Sequence, residues 1–204
     1  MAKNYVSNSR ESSRMFKNNF LEFLSKVHYL VPLFIFIPVI FYFSWKALFP
    51  GELSALRFLL IFAGGLFVWS FTEYAMHRFV FHFTPRGKFM ERIHFISHGV
   101  HHDYPNDSKR LVMPPSLSVP LATGFYFLFA LFLGEFTVAA FFSGFITGYL
   151  FYDMTHYALH HANFKSEFWK KLKKHHMTHH YAESDKGYGV SSKFWDKIFG
   201  SDFQ

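Results

Sequence analysis

The chain has 204 residues, enough for one compact domain; half of them are hydrophobic, 31 are phenylalanine, none is cysteine, and the formal charge is +7. The absence of cysteine excludes a disulfide scaffold and thiolate metal ligands. Stretches 27–45, 58–72, 111–134 and 136–152 carry no Asp, Glu, Lys or Arg, and a soluble core of this size could not bury them all, so the composition is that of a membrane protein.

In chain order, residues 1–26 form a polar arm in which Lys3, Arg10, Arg14, Lys17 and Lys26 stand against Glu11 and Glu22. The arm carries no signal-peptide pattern, and its Ser and Asn content predicts a frayed start that tightens into an interfacial helix near Phe16–Leu24. Residues 27–204 read as one membrane-embedded domain, all-α, with four spans at about 27–48, 53–76, 114–133 and 136–155. Pro38 predicts a kink in the first span, and Phe49-Pro50-Gly51-Glu52 a tight turn that makes the first two spans an antiparallel hairpin. The second and fourth spans are overlong. A helix of about 27 residues is about 40 Å long, against about 30 Å of hydrocarbon, so their last turns are expected to stand in water. Two metal-site helices are expected at about 77–102 and 156–183.

Lys and Arg crowd the arm, the stretch from His77 to Met113 and the tail, while the opposite loops hold little beyond Glu52, Arg57 and Glu135. This bias predicts both termini and the histidine-rich segments on the cytoplasmic side of a bacterial inner membrane or the endoplasmic reticulum. The positive charge then lies against anionic headgroups; a nucleic-acid reading would need a basic soluble domain.

Those segments carry the chemistry. His98-Gly99-Val100-His101-His102 and His175-His176-Met177-Thr178-His179-His180 each offer three imidazoles, at positions 98, 101 and 102 and 176, 179 and 180, toward one point if helical. His77 with His82 and His156 with His160 bring the set to ten, too many for one ion and about right for two. Imidazole selects zinc, iron, copper or nickel over magnesium and calcium. A zinc hydrolase signature, His-Glu-x-x-His, is absent. Carboxylates at Glu73, Asp103, Asp153, Glu183 and Asp185 are candidates to orient the free ring nitrogens. Tyr74, Tyr104, Tyr157 and Tyr181 lie beside the histidines as candidate hydrogen-bonding groups, and His94, His161 and His175 as supporting rather than ligating rings. His28 is far from the cluster and reads as interfacial. A metal transporter would need ligands near the bilayer midplane, where the spans have almost none. A redox-active metal pair at a membrane surface reads as oxygen chemistry on a lipid.

The motifs Glu73-Tyr74-x-x-His77-Arg78-x-x-x-His82, His94-Phe95-x-x-His98-Gly99-x-His101-His102-x-x-Pro105, Tyr152-Asp153-x-x-His156-Tyr157-x-x-His160-His161 and His176-x-x-His179-His180-Tyr181 resemble those of the fatty acid hydroxylase and sterol desaturase superfamily. The segment Gly187-Tyr188-Gly189-Val190-Ser191-Ser192-x-x-Trp195-Asp196-x-x-Phe199-Gly200 is similar to that of the fatty acid 2-hydroxylases acting on sphingolipid acyl chains. The resemblance implies a di-iron monooxygenase, with zinc able to replace iron in purified protein, that places one oxygen atom of O2 at carbon 2 of the acyl chain of a ceramide-like lipid or its precursor. The alternative is a membrane di-iron desaturase or hydroxylase acting on a sterol, a carotenoid or a mid-chain acyl position. The implied ligands are His77, His82, His98, His101, His102, His156, His160, His176, His179 and His180. Family members with a fused cytochrome b5 domain carry it before the membrane region, where this chain has no room for one. A separate donor is therefore expected: cytochrome b5, a ferredoxin or a similar carrier.

Overall fold

The computed structural model describes residues 6–7, 9–49 and 52–203, and among these the chain is helical and contains no strand. Lys3 and the Pro50-Gly51 centre of the expected turn lie outside the described residues. Helix α1 is Asn19–Leu24, started by Asn18, whose side chain accepts from the amides of Phe20 and Leu21. It is shorter than the sequence suggests, and the described part of the arm is fastened. Ser7 N–H donates to the Asp103 carbonyl, Arg92 and Arg110 donate to the carbonyls of Met15 and Ser13, and Glu22 bonds Arg110 at 2.8 Å.

Helix α2, Val31–Leu48, runs unbroken through Pro38. Helix α3, Ala55–Ala75, starts at Ser54, whose hydroxyl accepts from the Arg57 amide, and continues as a π-helical turn, Met76–Phe81. Three short pieces follow where one helix was expected: α4, Lys88–His94; a π-helical turn, Phe95–Gly99; and α5, Val100–Asp103. Helix α6, Pro115–Ala130, ends three residues before the expected span does, leaving Leu131–Leu133 as a turn. Helix α7 is Glu135–His161. The expected second site helix is broken at Ala162–Ser166, so His156 and His160 belong to α7 and the later histidines to α8, Glu167–Tyr181. Helix α9, Phe194–Ile198, lies in the C-terminal segment.

Both α2 and α3 pack mainly on α7 rather than on each other, so the first two long helices are neighbours through a third. Backbone contact is what binds α3 to α7. A Cβ at Gly65 would lie 2.0 Å from the Phe141 carbonyl oxygen, and one at Gly144 would lie 2.0 Å from that of Phe62. Small residues allow such approach where bilayer helices must associate by packing. Trp69 fills the layer next to the glycines, edge-on to Phe145 (5.1 Å) and Tyr149 (5.4 Å). At the end of the bundle away from the histidines, Lys46 of α2 pairs with Glu135 of α7 at 2.9 Å.

Two helices, Val31–Leu48 and the combined Ala55–Phe81, are long and apolar enough to cross a bilayer; Pro115–Ala130 is apolar but shorter. Their outer faces expose Phe34, Phe41, Leu60, Phe67 and Phe127. In the last turns of the long α3 unit, Phe79 and Val80 are exposed but the face carrying the site residues does not stand in water as expected. Glu73, Tyr74, His77 and Phe81 are all buried, because the C-terminal segment folds over them. The end of α7 is likewise enclosed at Asp153, His156 and Leu159, and only His161 is exposed.

Candidate metal centre

Four segments meet at the buried end of the bundle: the π-helical end of α3, the α4–α5 stretch, the end of α7 and the end of α8. They bring the ten histidines into two groups of five, His77, His82, His98, His102 and His179, and His101, His156, His160, His176 and His180, each with its ligand atoms within 4.8 Å of one another. The segments do not each serve one point. His98 and His102 join one group while His101 joins the other; His176 and His180 join one while His179 joins the other. Helical geometry permits the split. Residues four apart are offset by about 40° on one side and residues three apart by about 60° on the other, so the two partners of one histidine point about 100° apart. His77 and His82 are five apart, a spacing that an α-helix does not align. The π-helical turn closes it with a bond from the His82 amide to the His77 carbonyl at 3.1 Å.

Ring nitrogens face inward. Nε2 of His77 and of His102 lie 3.0 and 3.1 Å from Nε2 of His98, and Nε2 of His179 lies 3.0 Å from that of His82. In the second group Nε2 of His160 and of His180 lie 2.9 and 3.1 Å from Nε2 of His176. The His102 and His180 rings stack at 4.2 Å between the groups. Behind the site, His77 Nδ1 donates to the Tyr188 carbonyl at 2.5 Å and His179 Nδ1 to the Lys186 carbonyl at 2.6 Å. With the Nδ1 protons so placed, each of these two neutral rings presents an Nε2 lone pair to the centre. Main-chain carbonyls thus take the orienting role expected of carboxylates.

Burial, the largest cause in each case, pushes the seven rings outside the membrane-crossing helices below the ordinary imidazole range, His82 to about 2 and His179 to about 4. Neutral rings at pH 7 are good ligands. Both nitrogens of His101 and Nε2 of His156 are buried without a hydrogen-bond partner. Converging lone pairs with unpaired nitrogens among them are costly unless a cation lies between them, so the donor set fits two transition ions.

The other sequence candidates fall around this centre. Glu73 Oε1 accepts from the Val190 and Ser191 amides at 2.8 and 2.7 Å, and Tyr74 OH is 2.9 Å from Ser201 Oγ. Asp153 accepts from the Met113 amide at 3.2 Å and Tyr149 OH at 3.1 Å. His175 is buried 3.4 Å from Asp196 Oδ2 and 3.5 Å from Asp202 Oδ1. His94 stands edge-on to Phe83, outside both groups; Tyr157 stacks on Tyr29 at 4.4 Å and neighbours His161; Tyr181 is half exposed. Asp103 and Tyr104 close α5, Glu183 pairs with Lys186 and Asp185 is exposed. His28 is exposed beside Tyr29.

Sequence reasoning gave no role to Asp196. Its carboxylate accepts from the amides of Tyr188 (2.9 Å) and Gly189 (2.8 Å) and from the Ser201 hydroxyl (2.8 Å), shaping the turn whose carbonyl holds His77. The Trp195-Asp196 pair in the glycine-rich end segment was the available signal.

A cleft of about 480 Å³ ends on the site, lined by Phe81, Ile96, Leu111, Val112 and Leu117 and reaching His98, His101 and His156. It shares Phe81, Met113 and Tyr152 with a narrow apolar cavity of about 40 Å³ that continues between α3, α6 and α7 beside Trp69, Phe125 and Phe145.

Residues 62–201 match the fatty acid hydroxylase family model. Over 192 residues the chain is 38% identical to a dihydroceramide fatty acyl 2-hydroxylase of Arabidopsis thaliana, covering 94% of this chain and 80% of that protein. A ceramide very long chain fatty acid hydroxylase of Schizosaccharomyces pombe is 43% identical over 189 residues, covering 90% and 53%. The human fatty acid 2-hydroxylase is 36% identical over 216 residues, covering 91% and 55%, so the chain spans about half the length of the fission-yeast and human relatives. The solved structure of full-length scs7p, with only its hydroxylase domain visible, superimposes with a TM-score of 0.86 at 41% identity, covering 91% of this chain and 70% of that one.

Proposed function

The chain belongs to the fatty acid hydroxylase family, and from that premise we propose that it hydroxylates carbon 2 of the acyl chain of a ceramide-like lipid or its acyl precursor. The single observation that carries this reading is the apolar cleft that ends on histidines of both groups. A lipid seated there brings C–H bonds, not a polar headgroup, to the centre. Its tail runs past Phe81, Met113 and Tyr152 toward the bundle interior, so the carbons offered are those near the acyl carbonyl. Holding them at about 3–3.5 Å from the reacting atom is the chain's contribution to rate.

The ten histidines are the proposed ligands, five to each of two iron ions, with zinc able to occupy the same sites. When bound, the irons supply O2 reduction and cleavage of the acyl C–H bond. The residues around them have definable tasks. Tyr188 and Lys186 carbonyls fix two rings in their ligating tautomer; Glu73 and Asp196 hold the backbone that presents the Tyr188 carbonyl; Leu111, Val112 and Ile96 keep water from the substrate side. In this reading α2, α3, α6 and α7 all cross the membrane, the centre and both termini are cytoplasmic, and the electrons come from cytochrome b5, a ferredoxin or a similar carrier.

The test is expression in cells that lack acyl 2-hydroxylation, with lipid mass spectrometry under ¹⁸O₂. A product with one ¹⁸O at carbon 2, absent with His176→Ala, is expected. A double bond, or a hydroxyl on a ring or mid-chain carbon, would move the chain to the alternative oxidations, and oxygen derived from water would remove the monooxygenase reaction.

A further inference from the structure

The centre has a second, chemically different opening. A cleft of about 420 Å³, almost wholly polar, is lined by Arg10, Asn106, His160, His161, Asn163 and Lys173. None of these residues lines the apolar cleft, whose access to the centre is through His98, His101 and His156. The polar opening reaches the second histidine group directly, since His160 lines it and its Nε2 lies 2.9 Å from that of His176.

The two charged side chains that line it are both basic. Arg10 and Lys173 face it, and exposed Lys109 and Lys165 stand one and two residues along the chain from the lining residues Ser108 and Asn163. Of the nearby acids, Asp107 is buried against Arg110 at 3.4 Å and does not present its charge to the opening, and exposed Glu11, next to Arg10 in the chain, does not line it. Lys173 is held in place by a hydrogen bond from Nζ to the Ala162 carbonyl at 2.9 Å, where α7 ends. An acyl chain has nothing to gain in such a cleft, whereas an acidic surface does.

Resting on the hydroxylase reading above, we propose that this cleft is where the electron donor docks, a small acidic one-electron carrier whose surface carboxylates meet Arg10 and Lys173. Hydroxylation must balance: R–H, O2, two electrons and two protons give R–OH and water. The C–H bond supplies two of the four electrons that O2 takes up, and the carrier supplies the other two in successive encounters. Docking at His160 delivers them through a ring of the second group, on a face that leaves the lipid cleft open. Because the carrier must leave and return within each turnover, a small charged contact suits it better than a large apolar one.

The test uses the full chain in lipid nanodiscs and the soluble haem domain of cytochrome b5 as the probe. Binding by surface plasmon resonance is expected to weaken steeply between 50 and 300 mM salt. The variant Arg10→Glu with Lys173→Gln is expected to bind about tenfold more weakly while retaining its metal content. Carbodiimide cross-linking of the native pair is expected to join a carboxylate of the probe to Lys173, Lys165 or Lys109. Unchanged affinity in the variant, cross-links mapping to Lys193 or Lys197, which line a separate cleft with Phe168 and Thr178, or equal competition by vesicles of anionic phospholipid would each overturn the proposal. Turnover driven by dithionite separates the two readings: it is expected to persist in the double variant, and its absence in the native, metal-replete chain would count against the hydroxylase itself while leaving the docking result to stand or fall on binding.

Discussion

His77 Nδ1 donates to the carbonyl oxygen of Tyr188 at 2.5 Å, joining residues 111 positions apart. That carbonyl is presented by a turn with two carboxylate anchors, Asp196 on the amides of Tyr188 and Gly189, and Glu73 on those of Val190 and Ser191. Glu73→Ala would leave two amides without their acceptor, a cost of about 2–6 kcal/mol from two unmet bonds at the usual penalty. It is expected to lower the thermal midpoint and loosen the group containing His77, while Glu73→Gln, which keeps an acceptor oxygen, recovers much of both. A metal content that falls equally in the two variants would show that the carboxylate acts otherwise.

Elemental analysis of detergent-purified, metal-replete protein is expected to find two ions per chain. His77→Ala and His156→Ala remove one ligand from different groups, so each should lose about one ion, and the two together nearly both. His28→Ala, at an exposed ring outside both groups, should lose none. A single ion in the native chain would end the di-metal reading.

Glycine at two positions sets the distance between α3 and α7. Gly65→Ala should force the helices apart, costing about 1–3 kcal/mol or more as other overpacked sites do. Gly124→Ala, whose added Cβ meets nothing within 4 Å, is the matched control and should be neutral or slightly stabilising. Equal midpoints for the two variants in a detergent melt would refute backbone contact as the bond between these helices.

The arm carries a pH dependence. Burial pushes the Glu22 carboxyl up, but Lys26, the Phe16 and Met15 amides and Arg110 outweigh it and hold it at about 2, against an ordinary 4.5. A depressed carboxyl stabilises the fold fully above its unfolded value, and that contribution is lost as pH falls through the folded one. The native chain should therefore exceed Glu22→Gln in thermal midpoint above about pH 4.5, with the gap closing toward pH 2. A gap that persists below pH 2 would mean that charge is not its source.

Four crossings with the centre in the cytoplasm predict that cysteine at Glu52 or Glu135 reacts with an impermeant thiol reagent from outside, and that cysteine at Lys109 or Lys186 does not. Lys109 is exposed, whereas a cysteine at the neighbouring Asp107 would be buried and silent on either side. The opposite pattern would invert the topology.

What the sequence by itself determined was local: apolar runs long enough for helices, an arm of mixed charge, and ten histidines whose residue type and spacing pointed to a pair of transition ions. These follow from periodicity and composition, which act over a few turns. Only the tertiary structure decided how the ten divide. His101 parts from His98 and His102, and His179 from His176 and His180, because four helix ends approach from different sides and each stripe faces two points. The π-helical turn that brings His77 beside His82, the break at Ala162–Ser166 and the use of Tyr188 and Lys186 carbonyls in place of carboxylates were equally beyond a helical reading. So was the burial of Glu73 and His77, expected in water and found beneath residues 188–201. The physical reason is the same in each case. A buried polar group must find its partner wherever the packed chain places one, and that partner can be more than 100 residues away.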